Sequence, residues 1–147
     1  MSDARAALMD ACLAIRAYRY LPDTVTTLDG MVVPVDIWDT LAEFEARQGG
    51  DCDGHACWTI ERAALRAPGP FYFVAGEVLV RGTWNGHAWV ELDEPDERLW
   101  ADPTWGHGPQ SPRALGYPAT RRPWKRWRYA GEGLFDREED YVMGGAA

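Results

Sequence analysis

Three short segments contain the residue types that nucleophilic catalysis needs. Cys52 lies in the segment 50–53 (GDCD), His87 in 86–91 (GHAWVE) and Asp102 in 100–104 (WADPT). A nucleophilic cysteine needs a base within hydrogen-bond reach and a third group that orients this base. We therefore expect Cys52 as nucleophile, His87 as general base and Asp102 as orienting carboxylate, and acyl transfer through a thioester intermediate.

The cysteine is predicted to open a helix. The helical pattern begins at Asp51 or Cys52 and runs to about Arg66, before Pro68. The partial positive charge of a helix N-terminus favours thiolate over thiol, whereas Asp51 and Asp53 oppose this unless they face solvent or cap the helix. For the oxyanion we expect the Cys52 backbone amide as donor, with the side chains of Gln48 and Trp38 as weaker candidates.

The histidine and the aspartate are predicted to meet across a hairpin. If residues 86–92 and 97–102 pair with a turn at Glu94-Pro95, three favourable cross-strand pairs form: His87 with Asp102, Trp89 with Trp100, and Glu91 with Arg98. All six side chains then lie on one face, because strand positions alternate.

With these residues the chain resembles the transglutaminase-like superfamily within the papain-like fold. The resemblance covers residues 50–105: a cysteine opening a helix (GDCDGHACW), GHAWVEL and WADPTW, in the order Cys, His, Asp with spacings of 35 and 15 residues. It implies Cys52, His87 and Asp102 as catalytic residues, and peptidase, amidase, deamidase or transamidase activity. The segments 48–52 (QGGDC) and 101–106 (ADPTWG) are also similar to those of arylamine N-acetyltransferases, which use the same triad.

The roles of several other residues near these segments have two interpretations. Trp84 and Trp105 stand at strand ends and could border a cleft, and His107 either lines that cleft or is a solvated loop residue. Cys12 and Cys57 are expected to pack in the core. Cys52, His55 and Cys57 lack the fourth ligand of a structural zinc site, so we expect neither a metal nor a cofactor.

A basic and aromatic segment spans residues 121–129 and contains five of the fifteen basic residues: Arg121, Arg122, Lys125, Arg126 and Arg128. Such a segment can bind an anionic ligand or a single nucleic-acid strand. The alternative, which we favour, is that it packs on the acidic body of the same chain with its arginines along aromatic rings. It could also form one wall of the substrate cleft and favour acidic substrates.

The chain as a whole predicts one α+β domain over residues 1–147, papain-like or transglutaminase-like, with N-terminal helices and the nucleophile helix packed on an antiparallel sheet. Helices are expected over 3–19 and 36–48, a hairpin around Asp29-Gly30, a loop-rich region beyond Gly106, and a disordered tail over about 140–147. The net charge of −8 argues against duplex binding. With no apolar run of eighteen residues and no signal-peptide pattern, we expect a cytoplasmic protein without a membrane span.

The function expected from these residues is hydrolysis of an amide or isopeptide bond in a protein, a peptide or a small amide. Two alternatives stay open. One is acyl transfer to an amine, as a transamidase or an arylamine N-acetyltransferase-like enzyme. The other is a binding or inhibitory module that keeps the fold without turnover.

Overall fold

In the computed structural model, the described residues are 1–21, 24–26, 32–34 and 41–143. The helices are α1 (Asp3–Ala14), α2 (Leu41–Arg47) and α3 (Cys52–Ala64). Helix α1 begins at a cap in which the Ser2 hydroxyl accepts the Arg5 N–H, and α3 begins where the Asp51 carboxylate accepts the Gly54 N–H. The predicted first helix thus ends earlier than expected, with a 3₁₀ turn over Ile15–Ala17.

Eleven strands are formed by the described residues. They are β1 (Arg19–Tyr20), β2 (Thr24–Thr26), β3 (Val32–Pro34), β4 (Gly49–Gly50), β5 (Phe71–Val80), β6 (Thr83–Asp93), β7 (Arg98–Asp102), β8 (His107–Gln110), β9 (Arg121–Gly131), β10 (Leu134–Phe135) and β11 (Glu139–Asp140). The main sheet is antiparallel, in the order β10-β9-β5-β6-β7-β8, with β11 on β9. Separately, β1 pairs with β4 and β2 with β3.

The main sheet has two buried faces. On one face, which we call the helix side, Ala56 and Ile60 of α3 and Leu8 of α1 pack against Ala88 and Val90 of β6. On the opposite face, the far side, a second cluster contains Val74, Trp89, Trp100 and Leu115. The prediction of an α+β fold with the nucleophile helix on an antiparallel sheet is therefore confirmed.

The predicted register of the β6–β7 hairpin is wrong by two residues. Val90 lies opposite Ala101 and Glu91 opposite Trp100, and the Glu94 N–H donates to the Glu97 carbonyl in the turn. The acidic turn sequence is compatible with either turn position, and the Trp100 indole N–H selects the observed one by donating to the buried Glu91 carboxylate at 3.0 Å. A shift of two preserves the alternation, so the six side chains still share the far side.

The expectation of a loop-rich region beyond Gly106 is also wrong, because residues 121–131 form the long strand β9 beside β5. Trp127 and Tyr129 pack on the helix-side core, which gives the segment a buried face. Pro123 lies next to a break in register, where a missing N–H is tolerated. Three of the five cations have carboxylate partners within the chain: Arg121 with Asp102, Lys125 with Asp140, and Arg126 with Glu91, Asp93 and Glu139.

Some predicted elements extend beyond the described residues. Strands β2 and β3 pair as an antiparallel hairpin, but its turn at Asp29-Gly30 lies outside them, as do residues 36–40 of the predicted second helix. Of the predicted disordered tail, Asp140 belongs to β11 and the Tyr141 hydroxyl donates to Glu91, while residues 144–147 lie outside the described ranges. Among the described residues, none of the helices is long and apolar enough to cross a membrane.

Gly76 of β5 allows close packing directly opposite His87. A Cβ there would lie 2.2 Å from the Arg122 carbonyl oxygen and 2.8 Å from Cη2 of Trp89. We expect Gly76→Ala to lower the free energy of unfolding by about 1–3 kcal/mol, because backbone and indole must both shift. Urea unfolding measures this. Gly86→Ala in β6, where a Cβ meets nothing within 4 Å, is the matched control, and an equal loss in both variants would contradict the prediction.

Candidate active site

Asp102 ends β7 and has no solvent-exposed surface. Its Oδ2 is 2.8 Å from Nε2 of His87 and 2.8 Å from Nη2 of Arg121. Burial alone would raise the pKa of Asp102, but the hydrogen bond and charge of His87, with those of Arg121, hold this pKa below its usual value. The carboxylate is therefore an anion held between two cationic or hydrogen-bonding side chains.

His87 is held in one orientation by its neighbours. Its ring stacks on Trp105 with a centroid separation of 4.5 Å and an interplanar angle of 15°, and Trp89 lies on the same strand face at 6.3 Å. The side chain is 6% exposed. Since Nε2 is bonded to Asp102, Nδ1 is the ring nitrogen left to exchange a proton with a reacting group.

Cys52 is the first residue of α3 and is half-buried against the helix-side core. A backbone hydrogen bond from Ala88, the residue after His87, reaches its thiol. Strand β7 pairs with β6 from Val90 to Asp93 and then turns away at Pro103, which leaves the β6 backbone at Ala88 beside the start of α3. The topology thus brings the thiol to the strand that carries His87.

The thiol is protonated at neutral pH. Burial, then the charges of Asp53 and Asp51, raise the pKa of Cys52 to about 12, although the Ala88 hydrogen bond lowers it. Asp51 does cap α3, yet its charge still acts on the sulfur, and Sγ is 3.9 Å from Oδ1 of Asp53. Desolvation and the two carboxylates therefore outweigh the helix N-terminus in setting the pKa of Cys52.

The loop before Cys52 is fixed by backbone contacts. Gly49 lies so close to β1 that a Cβ would be 2.3 Å from the Arg19 carbonyl oxygen, so the parallel β1–β4 pairing requires glycine. His55 is buried, and burial lowers its pKa. Its neutral ring places Nδ1 2.8 Å from the Asp51 carbonyl oxygen, where an Nδ1–H would donate. This bond connects the first turn of α3 to Asp51, the residue before Cys52.

The other predicted site residues have different surroundings. Trp105 covers His87 and is 46% exposed, so it stands at the mouth of the site. The Gln48 side-chain amide donates to the Glu45 carbonyl oxygen, which does not support an oxyanion role. His107 lies opposite Asp102 in the β7–β8 ladder with an exposed side chain. Trp84 is half-buried beneath the Arg122 guanidinium, and Trp38 lies outside the described residues.

Arg121 is the site residue that the sequence did not single out. Its Nε donates to the Leu115 carbonyl oxygen, and its guanidinium carbon lies 5.2 Å from the Trp89 ring centroid and 5.5 Å from that of Trp105. Two strands, β5 and β6, separate it from Asp102, so no local pattern pairs these residues. The only available signal was the position of Arg121 in the basic segment.

Comparison with solved structures identifies LapG from Legionella pneumophila as similar to this chain. The calcium-bound form matches with a TM-score of 0.60 and 19% identity over 96% of this chain and 75% of LapG. The EGTA-treated form matches with a TM-score of 0.57 and 17% identity over 88% and 69%. The chain has the transglutaminase-like fold. No protein-family model and no curated protein matches it.

One of these LapG structures is calcium-bound, which raises the question of whether this chain has donors suited to calcium. Asp51, Cys52 and Asp53 form the one group of three candidate ligands within the described ranges, with ligand atoms within 4.8 Å of one another. Calcium takes six to eight oxygen ligands and does not favour a thiol. One carboxylate oxygen of Asp51 already accepts the Gly54 N–H at the start of α3. The three residues therefore do not supply the ligands of a calcium site.

Removing the guanidinium from Asp102 should destabilise the protein. We expect Arg121→Met to lower the free energy of unfolding by about 3 kcal/mol near neutral pH, because a buried carboxylate loses a charged partner. Arg121→Lys retains the charge and should recover part of this loss. Since the pKa of Asp102 is lowered by folding, the deficit of Arg121→Met should narrow below about pH 4. Urea unfolding between pH 3 and 7 measures it, and a deficit independent of pH would contradict the electrostatic origin.

Neutralising Asp53 should activate the thiol. In Asp53→Asn the pKa of Cys52 falls, so a larger fraction is thiolate and iodoacetamide alkylation at pH 7.5 becomes roughly threefold faster. Peptide mass mapping follows Cys52 separately from Cys12 and Cys57. Asp96→Asn makes the same charge change at an exposed position in the β6–β7 turn and should leave the rate unchanged. An equal acceleration in both variants would show that only overall charge matters.

Proposed function

We propose that this protein is a cysteine-dependent hydrolase of amide or isopeptide bonds in protein or peptide substrates, with Cys52 as nucleophile, His87 as general base and Asp102 as the orienting carboxylate. The observation that carries the proposal is the 2.8 Å contact between His87 Nε2 and a fully buried Asp102. This contact leaves His87 Nδ1 for the thiol. The fold of LapG, a transglutaminase-like cysteine protease, supports the same class of activity.

The reaction begins from the protonated thiol. His87 Nδ1 takes the Cys52 proton while the sulfur attacks the substrate carbonyl carbon, so proton transfer accompanies bond formation. Asp102 stabilises the resulting imidazolium, and the Cys52 backbone N–H, which the helix ladder does not use, donates to the oxyanion. The imidazolium then protonates the leaving amine, and a thioester on Cys52 remains.

The second half of the reaction returns the free enzyme. Neutral His87 removes a proton from water, and the hydroxide oxygen attacks the thioester carbonyl carbon. Collapse of this intermediate breaks the carbon–sulfur bond, and the imidazolium returns the proton to the departing Cys52 sulfur. An amine in place of water would give transamidation by the same steps, so the acceptor alone separates hydrolysis from the transferase alternative.

The test combines thiol labelling with substrate turnover. Iodoacetamide should modify Cys52 well ahead of Cys12 and Cys57, and His87→Ala should remove this preference because no base accepts the thiol proton. Peptide, glutamine-amide and isopeptide libraries, assayed with and without an added amine, identify the bond and the acceptor. Parallel assays in calcium and in EGTA ensure that a metal requirement does not hide activity.

Matched variants separate catalysis from folding. Cys57→Ser and His107→Ala change the same residue types at other positions and should retain turnover, whereas Cys52→Ser and His87→Ala should lose it by at least about a hundredfold. Urea unfolding confirms that each variant is folded. Turnover that survives in folded Cys52→Ser would refute the proposal, and selective labelling of Cys52 without turnover of any library would favour the non-catalytic module.

A further inference from the structure

The helix side of the sheet remains accessible beyond the thiol. Along β6, Ala88 lies beside Cys52, and Gly86 and Trp84 follow on the same face because alternate strand residues share a face. Gly86 is exposed, and a Cβ built on it meets nothing within 4 Å. Helix α3 covers the strand in the other direction, over Ala88 and Val90. A substrate that reaches Cys52 can therefore extend along this face toward Trp84.

Arg122 and Trp84 form a charged platform at the end of this path. The Arg122 guanidinium carbon lies 3.6 Å from the centroid of the Trp84 ring, and Arg122 is exposed. Within the described ranges no carboxylate lies within 4.0 Å of its nitrogens, in contrast to Arg121, Lys125 and Arg126. An arginine stacked on an indole is oriented while the edge of its guanidinium keeps N–H donors for a carboxylate.

The spacing of this platform from the thiol matches an extended peptide. Trp84 precedes Ala88 by four residues, which corresponds to about 13 Å along a strand. A substrate lying extended on the same face would cover this distance with three or four residues. The long Arg122 side chain reaches toward the path from β9, since Arg122 lies opposite Glu77 and Glu77 opposite Gly86.

We propose that Trp84 and Arg122 form a substrate subsite for an acidic side chain three or four residues from the scissile bond. This inference rests on the proposed function, because it assigns a specificity to the Cys52 site. The net charge of −8 on the whole chain repels acidic peptides. At this subsite, however, the positive charge of Arg122 attracts the side chain of an aspartate or a glutamate. The ligand of this subsite is a side-chain carboxylate of a peptide.

Peptide electrophiles test the subsite in the full chain without a known substrate. N-chloroacetyl peptides extend from the thiol in one chain direction and peptidyl chloromethyl ketones in the other. In each, alanines flank a Glu or a Gln placed third or fourth from the reactive carbon. The sulfur displaces chloride to form a thioether, and intact mass with peptide mapping gives the rate at Cys52. We expect Glu to be favoured roughly fivefold over Gln in one chain direction.

Charge reversal provides the decisive comparison. Arg122→Glu should reverse the preference, while its labelling by neutral iodoacetamide stays at the wild-type rate. Arg128→Glu is the matched control, because Arg128 is an exposed arginine of the same strand that follows Arg126 onto the far side and should leave the preference intact. Raising the salt concentration should weaken the preference, since the site is solvent-exposed.

The outcomes separate the two proposals. Equal Glu and Gln rates in both chain directions, with selective labelling of Cys52, would overturn the subsite and leave the proposed hydrolase standing. An equal effect of Arg122→Glu and Arg128→Glu would also overturn it, because general charge would then explain the preference. Failure of every probe to label Cys52 ahead of Cys12 and Cys57 would refute the proposed function, and the subsite with it.

Discussion

The buried carboxylate of Asp102 is the constraint on which the candidate site depends. A fully desolvated carboxylate remains charged only where hydrogen bonds and positive charge replace its hydration, and here a histidine and an arginine share one oxygen. His87 lies on β6 and Arg121 on β9, two strands that are separated by β5 in the sheet. The Asp102 carboxylate therefore connects side chains from strands that are not neighbours. Trp89 and Trp105 both pack against the His87 ring and the Arg121 guanidinium. The arrangement fixes the orientation of the His87 ring.

Cys52, the proposed nucleophile, has a different electrostatic environment from His87, the proposed base. Desolvation and the two flanking carboxylates raise the pKa of Cys52 and favour the thiol over the thiolate in the free protein. In the proposed reaction, His87 would therefore remove the thiol proton during the attack. Under the proposed function, a protonated Cys52 agrees with general-base catalysis by His87 better than with a permanent thiolate–imidazolium pair.

The sequence predicted the helix and the strands that carry the candidate site residues better than it predicted the hairpin register and strand β9. Cys52 at a helix start and His87 and Asp102 on adjacent strands were predictable, because helix caps and strand alternation are local signals. The hairpin register was wrong by two residues, since the acidic turn sequence allows either position and the buried Glu91–Trp100 contact decides between them. Strand β9 was missed because prolines and closely spaced charges obscured an alternation that becomes visible only beside β5.

By itself, the sequence determined the residue types of the site, the α+β class and the face on which His87 and Asp102 meet. Alternation along a strand survives a shift of two residues, so that face did not depend on the register. The tertiary structure decided the charge states and the third partner. Arg121 reaches Asp102 across two intervening strands, and burial of Cys52 opposes the helix N-terminus. Both effects depend on distance and desolvation, which become defined only when segments remote in the chain pack together.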